Sequence, residues 1–169
     1  MSMATTPRYS FEVIGEHQGA TVIYTNPARA DPIRGDAGFA GFKALLDPYR
    51  TRPWIWLFDC RGMTAAHALN MDFVKRLSRT LDSEHAGSLQ RVWILNMNSW
   101  LRGILALFPS QKVRTLTSDR LETLVTLQQE QYSHRVIDAV LSILHAGSSA
   151  PQTHSGTRTD HVTAGSTRT

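Results

Sequence analysis

The chain has 169 residues, of which 41% are hydrophobic and 8% aromatic, enough for one soluble globular domain with a real core. Its net charge is +4, but from Phe11 to Ala146 there are 15 Lys and Arg against 13 Asp and Glu, so half the excess sits at the two ends. A balanced body without a basic stripe interleaved with aromatics excludes nucleic acid as a partner. The single Cys60 excludes an internal disulfide and any multi-cysteine zinc site. No stretch reaches the ~18 apolar residues of a membrane span, and the start lacks an apolar signal core. The expected location is cytoplasmic, with contact at membrane surfaces only.

Phe11 to Gly15 and Thr21 to Thr25 are β-rich runs around Glu16-His17-Gln18-Gly19, which predicts a hairpin at a sheet edge. Asn26 to Pro32 is a loop by its two prolines. Asp36 to Leu46 then places Phe39, Phe42, Leu45 and Leu46 at helical spacing, with Asp36 as N-cap and Pro48 as the stop. Trp54-Ile55-Trp56-Leu57-Phe58 is a continuous apolar run ending in the polar Asp59-Cys60-Arg61-Gly62, the pattern of a parallel strand buried on both faces. Asn70 opens an amphipathic helix whose stripe is Phe73, Val74, Leu77 and Leu81, and Gly87 is expected to end it. Arg91-Val92-Trp93-Ile94-Leu95, closing at Asn96, completes a βαβ unit.

Trp100 to Phe108 is short and unusually apolar, more than a sheet with its own core requires. After Pro109, Lys112 to Leu116 alternates as a one-faced strand. Ser118 or Asp119 caps a helix with Leu121, Leu124, Val125 and Gln128. Tyr132-Ser133 starts a last helix with Val136, Ile137, Val140, Leu141 and Leu144. From Gly147 the chain is mostly Gly, Ser, Thr, His, Pro and Arg with one valine, which predicts a disordered tail. The domain reading is a tail over 1–10, one α/β domain over 11–146 and a tail over 147–169.

Catalysis is not expected. The seven histidines include no i, i+4 pair, and neither Gly-x-Gly-x-x-Gly nor a Walker A pattern occurs, so no metal or cofactor is expected either. Cys60 with His67 is the one nucleophile pair the spacing offers, and nothing else supports it.

The central segment, Thr21 to Leu116, resembles the CRAL-TRIO lipid-binding domains of the phosphatidylinositol-transfer type. The resemblance rests on an apolar strand closing in Asp-x-x-Gly (Asp59 to Gly62), an amphipathic helix of the right length, a strand from Arg91 to Asn96, an apolar helix and a short strand. It departs from the family in three places: His85-Ala86-Gly87 stands for Tyr-Pro-Glu, Asn96-Met97-Asn98 for Asn-x-Pro, and two helices from Asp119 to His145 for the usual close. The family's N-terminal helical bundle has no counterpart here. The resemblance implies a mixed, mostly parallel sheet of about five strands with a gate-like helix over one face.

It also implies a hydrophobic ligand such as a phospholipid, held by Trp56, Phe58, Trp93, Trp100, Leu101, Ile104, Leu105, Leu107 and Phe108. Lys75, Arg76 and Arg79 would meet a headgroup, and the gate would make transient contact with a membrane. The alternative is a protein-interaction module without a lipid pocket, binding a small GTPase or its regulator, as divergent members do. Read as residues alone, Trp54, Trp56, Phe58 and Trp93 are sheet core, and Lys75, Arg76 and Arg79 are a solvated helix face.

Overall fold

A computed structural model describes residues 10–64, 70–105 and 111–148. The expected disordered tail from Gly147 therefore lies, but for its first two residues, outside the described part. Five strands, β1 (Glu12–His17), β2 (Ala20–Thr25), β3 (Trp54–Asp59), β4 (Leu89–Leu95) and β5 (Val113–Thr115), form one sheet in sequential order. β1 runs antiparallel to β2, and every other neighbouring pair is parallel. The mixed, mostly parallel five-stranded sheet expected from the sequence is the sheet observed.

The β1–β2 hairpin closes through Gln18 (φ 49°) and Gly19 (φ 80°). Two positive φ values make a turn whose twist matches that of the strands, and glycine takes the second at no steric cost.

Because β2 to β5 step across the sheet in one direction, right-handed crossovers put α1 (Gly35–Leu46), α2 (Met71–Glu84) and α3 (Ser99–Leu105) on the same face. α4 (Arg120–Gln129) and α5 (His134–Ser148) cover the other. Burial agrees with this division. Val22, Tyr24, Ile55, Leu57, Trp93 and Leu95 pack with Leu127, Val136, Ile137, Val140, Leu141 and Leu144 on one side. Ile23, Trp54, Trp56, Val92 and Ile94 face Phe42, Leu46 and Leu101 on the other.

Helix ends differ from the sequence reading in detail. α1 is capped by the backbone of Arg34, with no side-chain bond, and Asp36 lies in the first turn, where its carboxylate meets Arg76. Pro48 does not stop the chain at once but lies in a 3-10 turn, Asp47–Tyr49, fused to the helix end. α2 starts where expected, with Asn70 accepting from the Phe73 N–H, but it ends at His85, two residues before Gly87. In α4 Asp119 is the cap, while Leu121 and Val125 are exposed and Thr123 and Leu127 are buried. The stripe that packs on the sheet is therefore rotated from the one read in the sequence.

The carboxyl ends of β2, β3 and β4 are joined by one side chain. Asp59, fully buried, accepts from the Tyr24 hydroxyl at 2.6 Å, Asn26 Nδ2 at 3.2 Å, Asn96 Nδ2 at 2.9 Å and the Arg61 N–H at 2.9 Å. The Arg61 guanidinium lies 3.4 Å away. Gly62 follows at φ 77°, and a Cβ there would come within 3.1 Å of Ala28 Cβ, so the turn needs glycine twice over. Burial, then the bond to Asp59, pushes the Tyr24 phenol up and keeps it a donor. Removing the carboxylate orphans four donors, two of them buried and two half-buried, so Asp59→Ala should cost about 3 kcal/mol in urea unfolding. A loss below about 1 kcal/mol would show that the strand ends hold together without it.

Candidate functional site

The side chains of β3 alternate: Trp54, Trp56 and Phe58 point to the face under α1, α2 and α3, and Ile55, Leu57 and Asp59 to the other. In register, Trp56 lies beside Val92 and Phe58 beside Ile94, so these four share a surface. Across from it, α2 presents Phe73, Leu77 and Leu81, which are only half-buried although they are the apolar stripe of the helix. The reason is a cavity of about 1150 Å³ between α2 and the sheet. Phe42 of α1, Leu101 and Leu105 of α3, and Val113 of β5 complete its apolar wall.

Aromatic rings stiffen that wall. Phe42 meets Phe73 edge-on at 5.4 Å, and Trp56 meets Phe58 at 5.6 Å. Trp56 Nε1 donates to Thr25 Oγ1 at 2.9 Å, so its one polar atom is satisfied and the ring offers apolar surface. The cavity runs the length of the strands, from Thr25, Phe58 and Asn70 at their carboxyl edge to His85, Ala86 and Leu89 at their amino edge. Six residues of strand span roughly 20 Å.

Of the residues expected from the sequence, Trp56, Phe58, Leu101 and Leu105 line the cavity. Trp93 does not. It faces α4 and α5, donating from Nε1 to the Tyr132 hydroxyl at 2.9 Å, because it sits one position out of phase with Val92 and Ile94. The side chains of Trp100 and Ile104, and all of Leu107 and Phe108, lie outside the described residues. Lys75, Arg76 and Arg79 are on the outer side of α2 and do not line the cavity. Arg76 pairs with Asp36 at 2.5 Å and Asp72 at 3.1 Å and covers the Phe39 ring at 5.6 Å, a structural use of its charge. Charge on the cavity rim is instead mixed: Asp31, Asp72 and Asp82 with Arg34 and Lys112.

Phe42, Phe73, Leu77, Leu81, Val92, Ile94 and His85 are among the lining residues that site reasoning from the sequence missed. The apolar stripes of α1 and α2 carried the signal for Phe42, Phe73, Leu77 and Leu81, and the two-residue period of a strand, counted from Trp56 and Phe58, that for Val92 and Ile94; His85 had none. That histidine is fully buried, and neither ring nitrogen has a hydrogen-bond partner among the described residues. Burial lowers its pKa, against a smaller opposing effect of Glu84.

Cys60, in the core behind Trp56, has its thiol pushed up to about 12 by burial and then by the charge of Asp59, which opposes use as a nucleophile. His67 lies outside the described residues. Among the described residues no three metal-ligating side chains come together, and no helix is long and apolar enough to cross a membrane.

An apolar cavity between a mostly parallel sheet and an amphipathic helix agrees with what sequence comparison finds, for residues 37–162 match the divergent CRAL/TRIO domain. The chain belongs to this family. No protein of curated function matches it. The CRAL/TRIO match begins within α1 and takes in α4 and α5, so the two helices that look like a departure from the family's close lie inside the matched region. CRAL/TRIO domains in general bind or transfer lipids and other small hydrophobic molecules rather than catalyse.

Two measurements follow from the cavity. Leu77→Ala removes a side chain that packs on one side only and should cost about 1 kcal/mol, whereas Leu127→Ala in the filled face should cost about 3 kcal/mol; equal losses would mean that α2 is packed as tightly as α4. For His85, a lowered pKa in the folded state means that the unfolded chain binds protons more readily. Stability from this group is therefore present above the unfolded value of about 6.5 and is lost as pH falls through it. His85→Gln should shrink the drop in urea midpoint between about pH 7.5 and about pH 5.5, and an unchanged drop would place that acid sensitivity elsewhere, His17 included.

Proposed function

We propose that this domain holds one lipid-sized hydrophobic molecule in the cavity between α2 and the sheet, and exchanges it past α3 at a membrane surface. The observation that carries this reading is the half-buried stripe Phe73, Leu77 and Leu81 standing over an apolar floor of Trp56, Phe58, Val92 and Ile94. A helix that packed for stability alone would close that gap, since interiors are otherwise filled to crystal-like density. An amphiphile burying roughly 400 Å² of apolar surface gains on the order of 10 kcal/mol, before the cost of ordering it. Ligand contacts are assigned to Trp56, Phe58, Leu101 and Leu105, joined by the α2 stripe.

Lys75, Arg76 and Arg79 drop out as a headgroup site because they point away from the cavity and Arg76 is engaged twice. The interaction-module alternative, in its form without a lipid pocket, needs a filled core under α2 and α3, and the cavity weighs against it.

Native mass spectrometry of gently purified protein should show a bound mass, with organic extraction of the same sample releasing a lipid. If the protein flies at its bare mass and the extract is empty, the carrier reading fails. Leu77→Trp, which puts an indole into the cavity, should abolish the bound mass while leaving the melting temperature unchanged or raised.

A further inference from the structure

The face packed by α4 and α5 carries a second, smaller cavity, on the opposite side of the sheet from the first. Its volume is about 300 Å³, and it lies at the amino edge of the strands, among the β1–β2 turn, the starts of β3 and β4 and the link from α4 to α5. His17, Pro53, Ile55, Arg91, Glu130 and Tyr132 line it. His17 stacks on Tyr132 at 3.8 Å with the ring planes 14° apart, which ties the hairpin to the helices and makes one flat wall. Arg91 stands beside Ile55, its partner in register, and its guanidinium lies 5.5 Å from the centre of the Trp93 ring, a contact that holds the fork in place.

Two opposite charges face each other here without bonding. Arg91 and Glu130 approach only to 4.0 Å, beyond the roughly 2.7–2.9 Å of a charge-assisted hydrogen bond, and neither side chain bonds elsewhere among the described residues. They are 25% and 30% exposed, so a solute can reach both, yet each has given up much of its water. A guanidinium has five donors and a carboxylate several lone pairs, and partly desolvated charges gain most from a partner that answers them directly. We propose that this pocket binds a small zwitterion, a free α-amino acid with a short aliphatic side chain, whose carboxylate takes the Arg91 fork and whose ammonium takes Glu130. The site stands apart from the large cavity and does not rest on the lipid reading.

Charge and size select this class. A plain anion would lose to Glu130 much of what it gains at Arg91, and a plain cation the reverse, whereas a molecule with both charges gains at both. Burial lowers the His17 pKa, against a smaller opposing effect of Glu130, so that ring adds no second cation at neutral pH. Pro53 and Ile55 give a small apolar patch for the side chain. A volume of about 300 Å³ is at the lower end of ligand pockets, which suits one amino acid and not a nucleotide.

The test is titration of L-valine into the isotopically labelled full-length protein, read from the Arg91 Nε–H and Trp93 Nε1–H resonances. Both should shift and saturate. Valinamide, which lacks the carboxylate, and N-acetylvaline, which lacks the ammonium, should bind at least about tenfold more weakly, the worth of one charge-assisted hydrogen bond. Arg91→Gln should weaken valine by about the same factor, read from the Trp93 indole. Glu130→Gln should weaken valine but strengthen N-acetylvaline, because the repulsion of a lone carboxylate is gone; a gain of this kind cannot come from misfolding, so it decides the matter even where Arg91→Gln does not fold.

No saturable shift with L-valine at tens of millimolar would leave the two charges to water and overturn the site. Equal binding of valine and N-acetylvaline, or equal shifts with sodium chloride at matched ionic strength, would overturn the zwitterion assignment.

Discussion

Everything in this fold that could form a site hangs from the Asp59 carboxylate. It is a buried charge, and an isolated one would be too costly to keep, so its position is fixed by the donors around it. Tyr24 and Asn26 come from the end of β2, Arg61 from the turn after β3 and Asn96 from the end of β4. One carboxylate therefore holds three parallel strand ends in register. Register decides which side chains share a face, since a slip of one residue would carry Trp56 and Phe58 to the opposite side. The Asp-x-x-Gly pattern in the sequence is thus a structural clasp, and its influence on a ligand passes through the strands it aligns.

A second constraint follows from topology. When parallel strands are added in one direction, their crossovers all land on one face, and the other must be covered by something else. Here α4 and α5 do that work with completely buried Leu127, Val136 and Val140. That face supplies a packed core, with Trp93 bonded to Tyr132 inside it. The crossover face is then free to be covered less tightly. α2 shows this most plainly: among its residues only Thr80 is fully buried. Division of labour between the two faces is what allows a domain of this size to keep a large cavity and still have a core.

Architecture was legible in the sequence because it rests on local signals. Asn70 and Asp119 have the side chains of N-caps, Gln18-Gly19 has the composition of a tight turn, and the stripe of α2 repeats at helical spacing. Faces were harder to read. An all-apolar strand such as Val92-Trp93-Ile94-Leu95 shows no alternation in hydrophobicity, so size drew attention to Trp93, while its smaller neighbours Val92 and Ile94 face the cavity. In α4, exposed Leu121 and Val125 compete with Leu124 and Leu127 for the apolar stripe, and only the position of the sheet decides between them. The three cations of α2 are adjacent in sequence, but Asp36 comes from α1 to meet Arg76, a pairing 40 residues apart that no local pattern reveals.

His85 was the least legible of all, because its meaning lies in what it lacks. In sequence it is one histidine in a loop, of a type as often exposed as buried. Only the fold shows that the loop is tucked under the amino edge of β4, where Trp54 and the end of α2 close around the ring. Leaving both nitrogens unpartnered there costs on the order of 1–3 kcal/mol, and the unfilled cavity beside it forfeits dispersion contacts as well. The second cost would fall if a bound hydrophobic molecule laid apolar surface along the strands. Binding and stability are then linked by mass action, so that a ligand at 100 times its dissociation constant would add about 2.7 kcal/mol to the folded state. Whatever occupied the cavity would stabilise the crossover face, since the opposite face is already filled by Leu127, Val136 and Val140.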